Sequence, residues 1–237
     1  MIVEFTLNGR QMRTEEDAGN ITVLQWLRRE GLTGSKEGCA EGDCGACSVL
    51  IGDTDARGEA TWRTINSCLV PLALLAGREL MTVEGLASTG ALHPVQQCMV
   101  NHHGSQCGYC TPGFICSLFE ASQRRDLVHN WQLDDQLAGN LCRCTGYRAI
   151  HDAACEALSM ERAALVPAQL TNDQGRAVSS LVHNEGELFR PASLAELFEM
   201  RSRFPNARLI AGATELGLEL TKKFKRFNGL ISLEAVT

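Results

Sequence analysis

Residues 38–47 read Gly38-Cys39-Ala40-Glu41-Gly42-Asp43-Cys44-Gly45-Ala46-Cys47. Three cysteines stand in a C-x4-C-x2-C array with glycines 38, 42 and 45 among them, and Cys68 follows at a distance. Glycine permits positive φ and close backbone approach. A loop of this composition can therefore wrap tightly around a small anionic core, its successive N–H groups turned inward as a nest. Four thiolates brought together by such a loop are metal chemistry rather than packing.

The spacing is the one that plant-type [2Fe–2S] centres use. A zinc knuckle is the rival, since four cysteines can also hold one tetrahedral Zn²⁺. Zinc sites usually present two short knuckles, and this set has one, entered through a glycine-rich loop. A second set consists of Cys107 and Cys110 (C-x2-C) with Cys142 and Cys144 (C-x-C). Read in isolation, its spacing suits zinc as well as iron–sulfur. A chain with two such sets is suited to passing single electrons.

Composition narrows the class. A chain of 237 residues is long enough for a few small domains, each with its own core. Met1–Leu7 runs straight into an alternating strand pattern, with no signal peptide expected, and the apolar run Leu69–Ala76 is too short to span a bilayer. Eleven cysteines in that setting argue for metal ligands over disulfides and for a reducing, cytoplasmic location. A net charge of −6 argues against nucleic acid as a partner. The basic run Lys222-Lys223-Phe224-Lys225-Arg226 reads as a solvated face.

Residues 1–85 read as a small α+β domain of β-grasp type. Val3, Phe5 and Leu7 alternate with polar residues, and Asn8-Gly9 signals a tight hairpin. Thr22 can cap a helix carrying Leu24 and Leu27 that ends before Gly31. Ser48–Ile51 and Thr61–Ile65 read as strands, Leu69–Ala76 as a short helix and Leu80–Val83 as a last strand. Residues 86–160 switch to helical periodicity. Helices are expected from Pro94, from Thr111-Pro112 (N-cap and N1 proline), over Leu133–Ala138 and over Tyr147–Ser159. Two helix N-termini thus follow Cys110 and Cys144, where the dipole favours a thiolate. Four helices gripping one centre where two pairs meet tilt the second set towards iron–sulfur. Residues 161–187 are polar and aperiodic, an expected linker. From Leu188 a short α/β pattern begins: a strand to Phe189, a capping box Ser193-Leu194-Ala195-Glu196, a strand Ala207–Ala211 and a small-residue turn Gly212-Ala213-Thr214-Glu215. Such a turn lets backbone N–H groups approach a phosphate, or is an ordinary β-to-α turn. It is neither a Walker A loop nor a G-x-G-x-x-G fingerprint.

Residues 36–47 (KEGCAEGDCGAC), Gln106–Gly113 (QCGYCTPG) and Leu141–Tyr147 (LCRCTGY) resemble the molybdenum hydroxylase family, and residues 189–221, with LIAGATELGLEL at 209–220 near their end, resemble the start of that family's flavin domain. An iron–sulfur pair fused ahead of a flavin segment most resembles the small subunits of bacterial xanthine dehydrogenases. The resemblance covers nearly the whole chain outside the linker. It implies a plant-type 2Fe-2S domain (1–85), a helical 2Fe-2S domain (86–160) and the N-terminal part of a PCMH-type FAD domain (188–237).

The implied role is an electron relay in an oxidoreductase. In such enzymes a molybdopterin-binding large subunit hydroxylates a purine, and electrons pass through the helical-domain cluster and the ferredoxin-like cluster to FAD and NAD. By motif match, Cys39, Cys44, Cys47 and Cys68 hold one [2Fe–2S] cluster. Cys107, Cys110, Cys142 and Cys144 hold the one nearer molybdenum, with Gln106 close to the pterin. Leu209, Ile210, Ala211, Gly212, Ala213, Thr214, Glu215 and Leu216 line the FAD pyrophosphate. Catalytic residues belong to the partner chain, so a hetero-oligomer is implied, with no membrane. The same module in an aldehyde or N-heterocycle oxidoreductase, or a structural zinc protein, are the other readings.

Two departures stand out. Ala40 and Asp43 occupy positions where the family often has glycine. The flavin region runs only about fifty residues to Thr237, several-fold short of a full family domain, so its FAD site is expected to need the remainder of that domain. Cys98, Cys116 and Cys155 read as core packing, His102-His103 as solvent-facing, and Trp26 and Trp62 as core.

Overall fold

The computed structural model describes residues 2–15, 17–54, 60–87, 90–160 and 188–236; the expected linker, 161–187, lies outside the described residues. Strands β1 (Val3–Leu7) and β2 (Arg10–Thr14) pair antiparallel through Asn8 and Gly9, both at positive φ (50° and 76°). Two successive positive φ values give the turn whose twist matches its strands. With β3 (Ser48–Thr54), β4 (Ala60–Asn66) and β5 (Glu79–Met81) they make a five-stranded sheet in the order β2-β1-β5-β3-β4. Helix α1 (Val23–Arg29) starts at Thr22 in a full capping box with Gln25 and ends before Gly31, whose φ is +82°. It buries Val23, Leu24, Trp26 and Leu27, with the Trp26 ring edge-on to Phe5 at 5.1 Å. This is the expected β-grasp.

Two elements differ from expectation. Of Leu69–Ala76, only Leu72–Leu75 closes, as a 3₁₀ turn. Proline disfavours helix in the residue before it, and the Val70 carbonyl instead accepts from Val23 N at 2.8 Å. Likewise β5 stops at Met81 and Val83–Leu86 turn into a short helix, α2. The Asn8 carboxamide takes the Thr82 N–H at 2.9 Å and its NH₂ reaches the Thr82 hydroxyl at 3.1 Å, so a side chain replaces the next ladder partner.

Four longer helices follow: α3 (Pro94–Asn101), α4 (Thr111–Gln123), α5 (Asn130–Leu137) and α6 (Arg148–Ser159). The α4 cap falls one residue earlier than expected. Cys110 is the N-cap, and the Thr111 hydroxyl turns to Ser105 Oγ at 2.8 Å instead of capping. The core of this unit holds Val95, Cys98, Met99, Phe114, Cys116, Phe119, Ile150, Ala153 and Ala157, and it is continuous with Leu50, Trp62 and Met81 of the sheet. Neighbouring β3 residues Val49 and Ile51 face the opposite core, beneath α1. The strand is therefore buried on both faces, α1 on one and α4 on the other.

Cys155 is not core as expected. The α6 stripe Ile150, Ala153, Ala154 and Ala157 faces inward, which leaves Cys155 exposed, its Sγ 3.6 Å from His151 Nδ1. His102 departs too: half-buried, its Nε2 meets the Glu156 carboxylate and ties α3 to α6, while His103 is exposed.

The last unit is a three-stranded parallel sheet in the order β6-β8-β7, from β6 (Leu188–Phe189), β7 (Arg208–Ile210) and β8 (Leu230–Ser232), with helices α7 (Leu194–Arg203) and α8 (Thr214–Thr221). Ser193 caps α7, but Glu196 reaches back to Ala192 N at 2.8 Å. This sheet is seated on the first one. Leu188, Ile210, Ala213, Leu216 and Leu230 share a core with Val3, Leu72 and Leu75. Buried Arg190 donates to the carbonyls of Leu74 and Ala76 at 2.5 and 2.6 Å and pairs with Glu234 at 2.8 Å. The basic run is also not simply solvated: Arg226 pairs with Asp17, Lys225 with Glu219 at 3.2 Å, and Lys222 with Glu41 at 3.3 Å. Phe224 stands clear, 83% exposed. Among the described residues no helix is long and apolar enough to cross a membrane.

Candidate metal centres and flavin loop

The loop between α1 and β3 holds Cys39 and Cys44, half-exposed, with Cys47 and Cys68 buried beneath. Ala40 (φ +55°), Gly42 (+86°) and Gly45 (+66°) bend the chain back on itself. The bend brings the Glu41 and Asp43 N–H groups onto Cys39 Sγ at 3.4 and 3.3 Å. The cysteines meet in pairs. Cys39 hydrogen-bonds Cys44, and Cys47 hydrogen-bonds Cys68. Burial works against the Cys39 thiolate, but the N–H groups around it outweigh burial and lower its pKa. The Cys68 thiol brings Cys47 down to about 7, and Cys68 itself is driven far up by that same bond. Burial raises Cys44, helped by the neighbouring Cys39.

The second set meets at the helix starts. Cys107 and Cys144, both exposed, pair with one another; Cys110 pairs with Cys142. The bond to Cys107 raises the Cys144 thiol. Burial, with Cys142 alongside, pushes Cys110 up to about 12. Burial opposes the Cys142 thiolate, yet its pKa falls because the Thr145 hydroxyl (3.1 Å), the Thr145 N–H (3.5 Å) and the Cys144 N–H surround it. Tyr147, left-handed at φ +67°, folds back so that its hydroxyl accepts from Cys142 N at 3.0 Å.

Among the described residues no three His, Cys, Asp or Glu side chains gather around one metal-ion position. A [2Fe–2S] core spreads its four thiolates over two irons, which is what two thiol pairs ringed by N–H donors fit.

The two cysteine loops touch. Leu141 N donates to the Cys44 carbonyl at 3.0 Å, so one residue of each set is joined to the other by a hydrogen bond and the Leu141–Cys142 peptide. Asn140, 3% exposed, donates to Gly45 O at 3.1 Å and accepts from Ser117 Oγ at 2.5 Å. A Cβ on Gly113 would lie 2.1 Å from Gly45 O, so glycine on α4 is what allows this approach. Tyr109 OH reaches Glu37 O at 2.5 Å. None of Asn140, Leu141, Gly113 or Tyr109 was legible as a joint between the sets, because the joint is made by partners distant in sequence.

The structure divides the eight flavin-loop residues. Ile210, Ala213 and Leu216 point into the core, while Leu209, Ala211, Gly212, Thr214 and Glu215 line the exposed start of α8. The left-handed residue is Ala213 (φ +63°). Gly212 is not the crowded position, because a Cβ there meets nothing within 4 Å in the chain. Crowding falls on Gly217, where a Cβ would stand 2.4 Å from Leu69 O. The far end of α8 lies on the first cysteine loop: Thr221 Oγ1 donates to Ala40 O at 2.8 Å and Lys222 Nζ to Cys39 O at 2.7 Å.

Fold and sites together define a two-centre iron–sulfur protein that runs on into a flavin-binding domain. Family models agree: a 2Fe-2S iron-sulfur cluster binding domain matches residues 5–73, a [2Fe-2S] binding domain 82–155, and the FAD binding domain in molybdopterin dehydrogenase 183–237. Xanthine dehydrogenase 1 of Arabidopsis thaliana is 30% identical over 98% of this chain and 22% of its own length. Xanthine dehydrogenase/oxidase of Mus musculus is 33% identical over 93% of this chain and 20% of its own. Among solved structures, quinoline 2-oxidoreductase from Pseudomonas putida 86 aligns at TM-score 0.59 and 32% identity, covering 70% of this chain and 95% of that one. Aldehyde oxidoreductase from Desulfovibrio gigas aligns at 0.59 and 33%, covering 67% of this chain and 17% of that one. The chain belongs to the xanthine dehydrogenase family of molybdenum hydroxylases and corresponds to its iron–sulfur/FAD region. It spans about a fifth of the curated relatives it matches.

Proposed function

We propose that this chain is the electron-transfer module of a cytoplasmic molybdenum hydroxylase that oxidises hypoxanthine or xanthine. Cys39, Cys44, Cys47 and Cys68 bind one [2Fe–2S] cluster and Cys107, Cys110, Cys142 and Cys144 the other. Each cluster supplies a one-electron site. The protein's own contribution is to hold the two thiolate sets close, to exclude water from Cys47 and Cys68, and to turn N–H groups onto the sulfurs, where they favour the reduced, more negative state. The observation that carries the reading is the Leu141 N–H bonded to the Cys44 carbonyl at 3.0 Å, which gives electrons a short covalent and hydrogen-bonded path between the two sets.

Direction follows from the layout. Cys107 and Cys144 are exposed, with Gln106, Arg143 and the uncovered Tyr109, Leu141 and Tyr147 around them. That surface suits docking of a molybdopterin-binding large subunit, which performs the substrate chemistry and completes a hetero-oligomer. At the opposite end, α8 bridges the first set and the flavin loop. Eight helical residues rise about 12 Å, so FAD held at the exposed residues of Leu209–Leu216 would be one short helix from Cys39, with the remainder of the flavin domain closing the site and NAD as acceptor.

A second reading has its own support: the neighbours of TM-score 0.59 are named for quinoline and aldehyde oxidation, so the same module can serve an N-heterocycle or aldehyde enzyme. Mixing the iron-loaded chain with its molybdopterin subunit and adding substrate anaerobically separates the two. Xanthine bleaching both clusters supports the first reading; bleaching by aldehyde or quinoline alone moves the assignment to the second.

A further inference from the structure

The backbone around Cys39 is held from outside by the C-terminal end of α8, a contact that connects the flavin segment to the first cysteine set. The peptide joining Ala40 and Glu41 has two faces. Its N–H donates to Cys39 Sγ at 3.4 Å, and its carbonyl accepts from Thr221 Oγ1 at 2.8 Å. The Thr221 hydroxyl shares its one proton between Ala40 O and Gly217 O of its own helix, the latter 3.0 Å away, with Ala40 O the nearer acceptor. One residue on, Lys222 Nζ donates to the Cys39 carbonyl at 2.7 Å and meets Glu41 Oε2 at 3.3 Å. Both outward carbonyls of this turn are thus taken by one helix end. Ala40 at φ +55° has little tendency to hold such a turn unaided, because an L-residue is strained there.

Gly217 explains how the helix end comes so near. It lies against the Leu69 backbone, where any Cβ would clash, and Leu218 packs with Cys47, Cys68 and Leu69. The α8 register over the loop is set by that contact.

We propose that Thr221 and Lys222 are positioning residues that set the reduction potential of the first cluster, so the flavin segment tunes the centre that feeds it. This rests on the proposed ligation by Cys39, Cys44, Cys47 and Cys68. A peptide whose carbonyl is hydrogen-bonded is a more polarised N–H donor, and donors on cluster sulfurs stabilise the reduced state. Thr221 strengthens and orients the Glu41 N–H, and Lys222 adds a cation at the Cys39 carbonyl while neutralising Glu41. Both effects raise the potential.

The test is a redox titration of the iron-loaded chain, followed by electron paramagnetic resonance so that each cluster is read separately. Thr221→Val and Lys222→Met each lower the first cluster's midpoint potential and leave the second unmoved, and Thr221→Ser restores the wild-type value. A first cluster unmoved in Lys222→Met, or a shift shared equally by both clusters, overturns the proposal; Lys222→Met decides the matter even where Thr221→Val loses iron. If the wild-type chain shows no first-cluster signal at all, it is the ligand assignment that fails.

Discussion

The Leu141 N–H donates to the Cys44 carbonyl at 3.0 Å, so the residue before Cys142 is bonded to a cysteine of the other set. Neighbouring Asn140 fastens the same seam by donating to Gly45 O while accepting from Ser117. One strand of loop therefore carries a cysteine of one set and the bracket of the other.

The seam has a measurable stability. Asn140→Ala strips a buried bracket and leaves Ser117 Oγ without its acceptor, while Gly45 O keeps the N–H and hydroxyl of Ser48. An unsatisfied buried polar group costs about 1–3 kcal/mol, so the denaturation midpoint of the iron-loaded chain should fall accordingly. Unchanged stability would mean water substitutes for the carboxamide.

Metal content follows from eight cysteines in two sets. Two [2Fe–2S] centres hold about four irons per chain. The purified protein should be red-brown, bleach with dithionite and give two paramagnetic signals. Cys39→Ser should remove one signal and Cys107→Ser the other; zinc in place of iron would end the two-cluster reading.

Asp43 is exposed, and its backbone N–H, not its carboxylate, meets Cys39 Sγ at 3.3 Å. Adding an electron beside a negative charge is disfavoured, so Asp43→Asn should raise the first cluster's potential and leave the second. Because solvent screens an exposed carboxylate, the shift should be small and should fade as salt approaches 1 M. A shift indifferent to salt would place the effect in the backbone turn.

Glycines of the flavin segment separate two roles. Gly217→Ala drives a methyl into the Leu69 backbone, and such overpacking costs about 1–3 kcal/mol. It should loosen residues 188–236 from the ferredoxin-like sheet, seen as faster proteolysis of that segment with both cluster signals kept. Gly212→Ala meets nothing in this chain and should leave docking intact, so any loss of FAD from the completed flavin domain at that position reports on the ligand alone. Equal protease resistance in both variants would contradict the packing assigned to Gly217.

What the sequence determined by itself was local. Ligand spacing along a glycine-rich loop, alternation in Val3–Leu7, the Thr22 cap and the helix starts after Cys110 and Cys144 all express preferences of neighbouring residues, and they carried the β-grasp, the helical unit and both cysteine sets. Elements whose ends depend on distant partners were misjudged. Residues 69–71 stay out of the helix because Val23 takes the Val70 carbonyl, and β5 stops early because Asn8 takes the Thr82 N–H. Cys155 looked like core until α6 turned its alanine stripe inward, and Lys222 looked like a solvated charge until α8 carried it to Cys39 O. Tertiary structure alone decided how the thiols pair, that Leu141 joins the two sets and that α8 bridges the flavin loop and the first set. Each is a contact between groups far apart in the chain, whose strength depends on close packing and backbone approach that residue type does not encode.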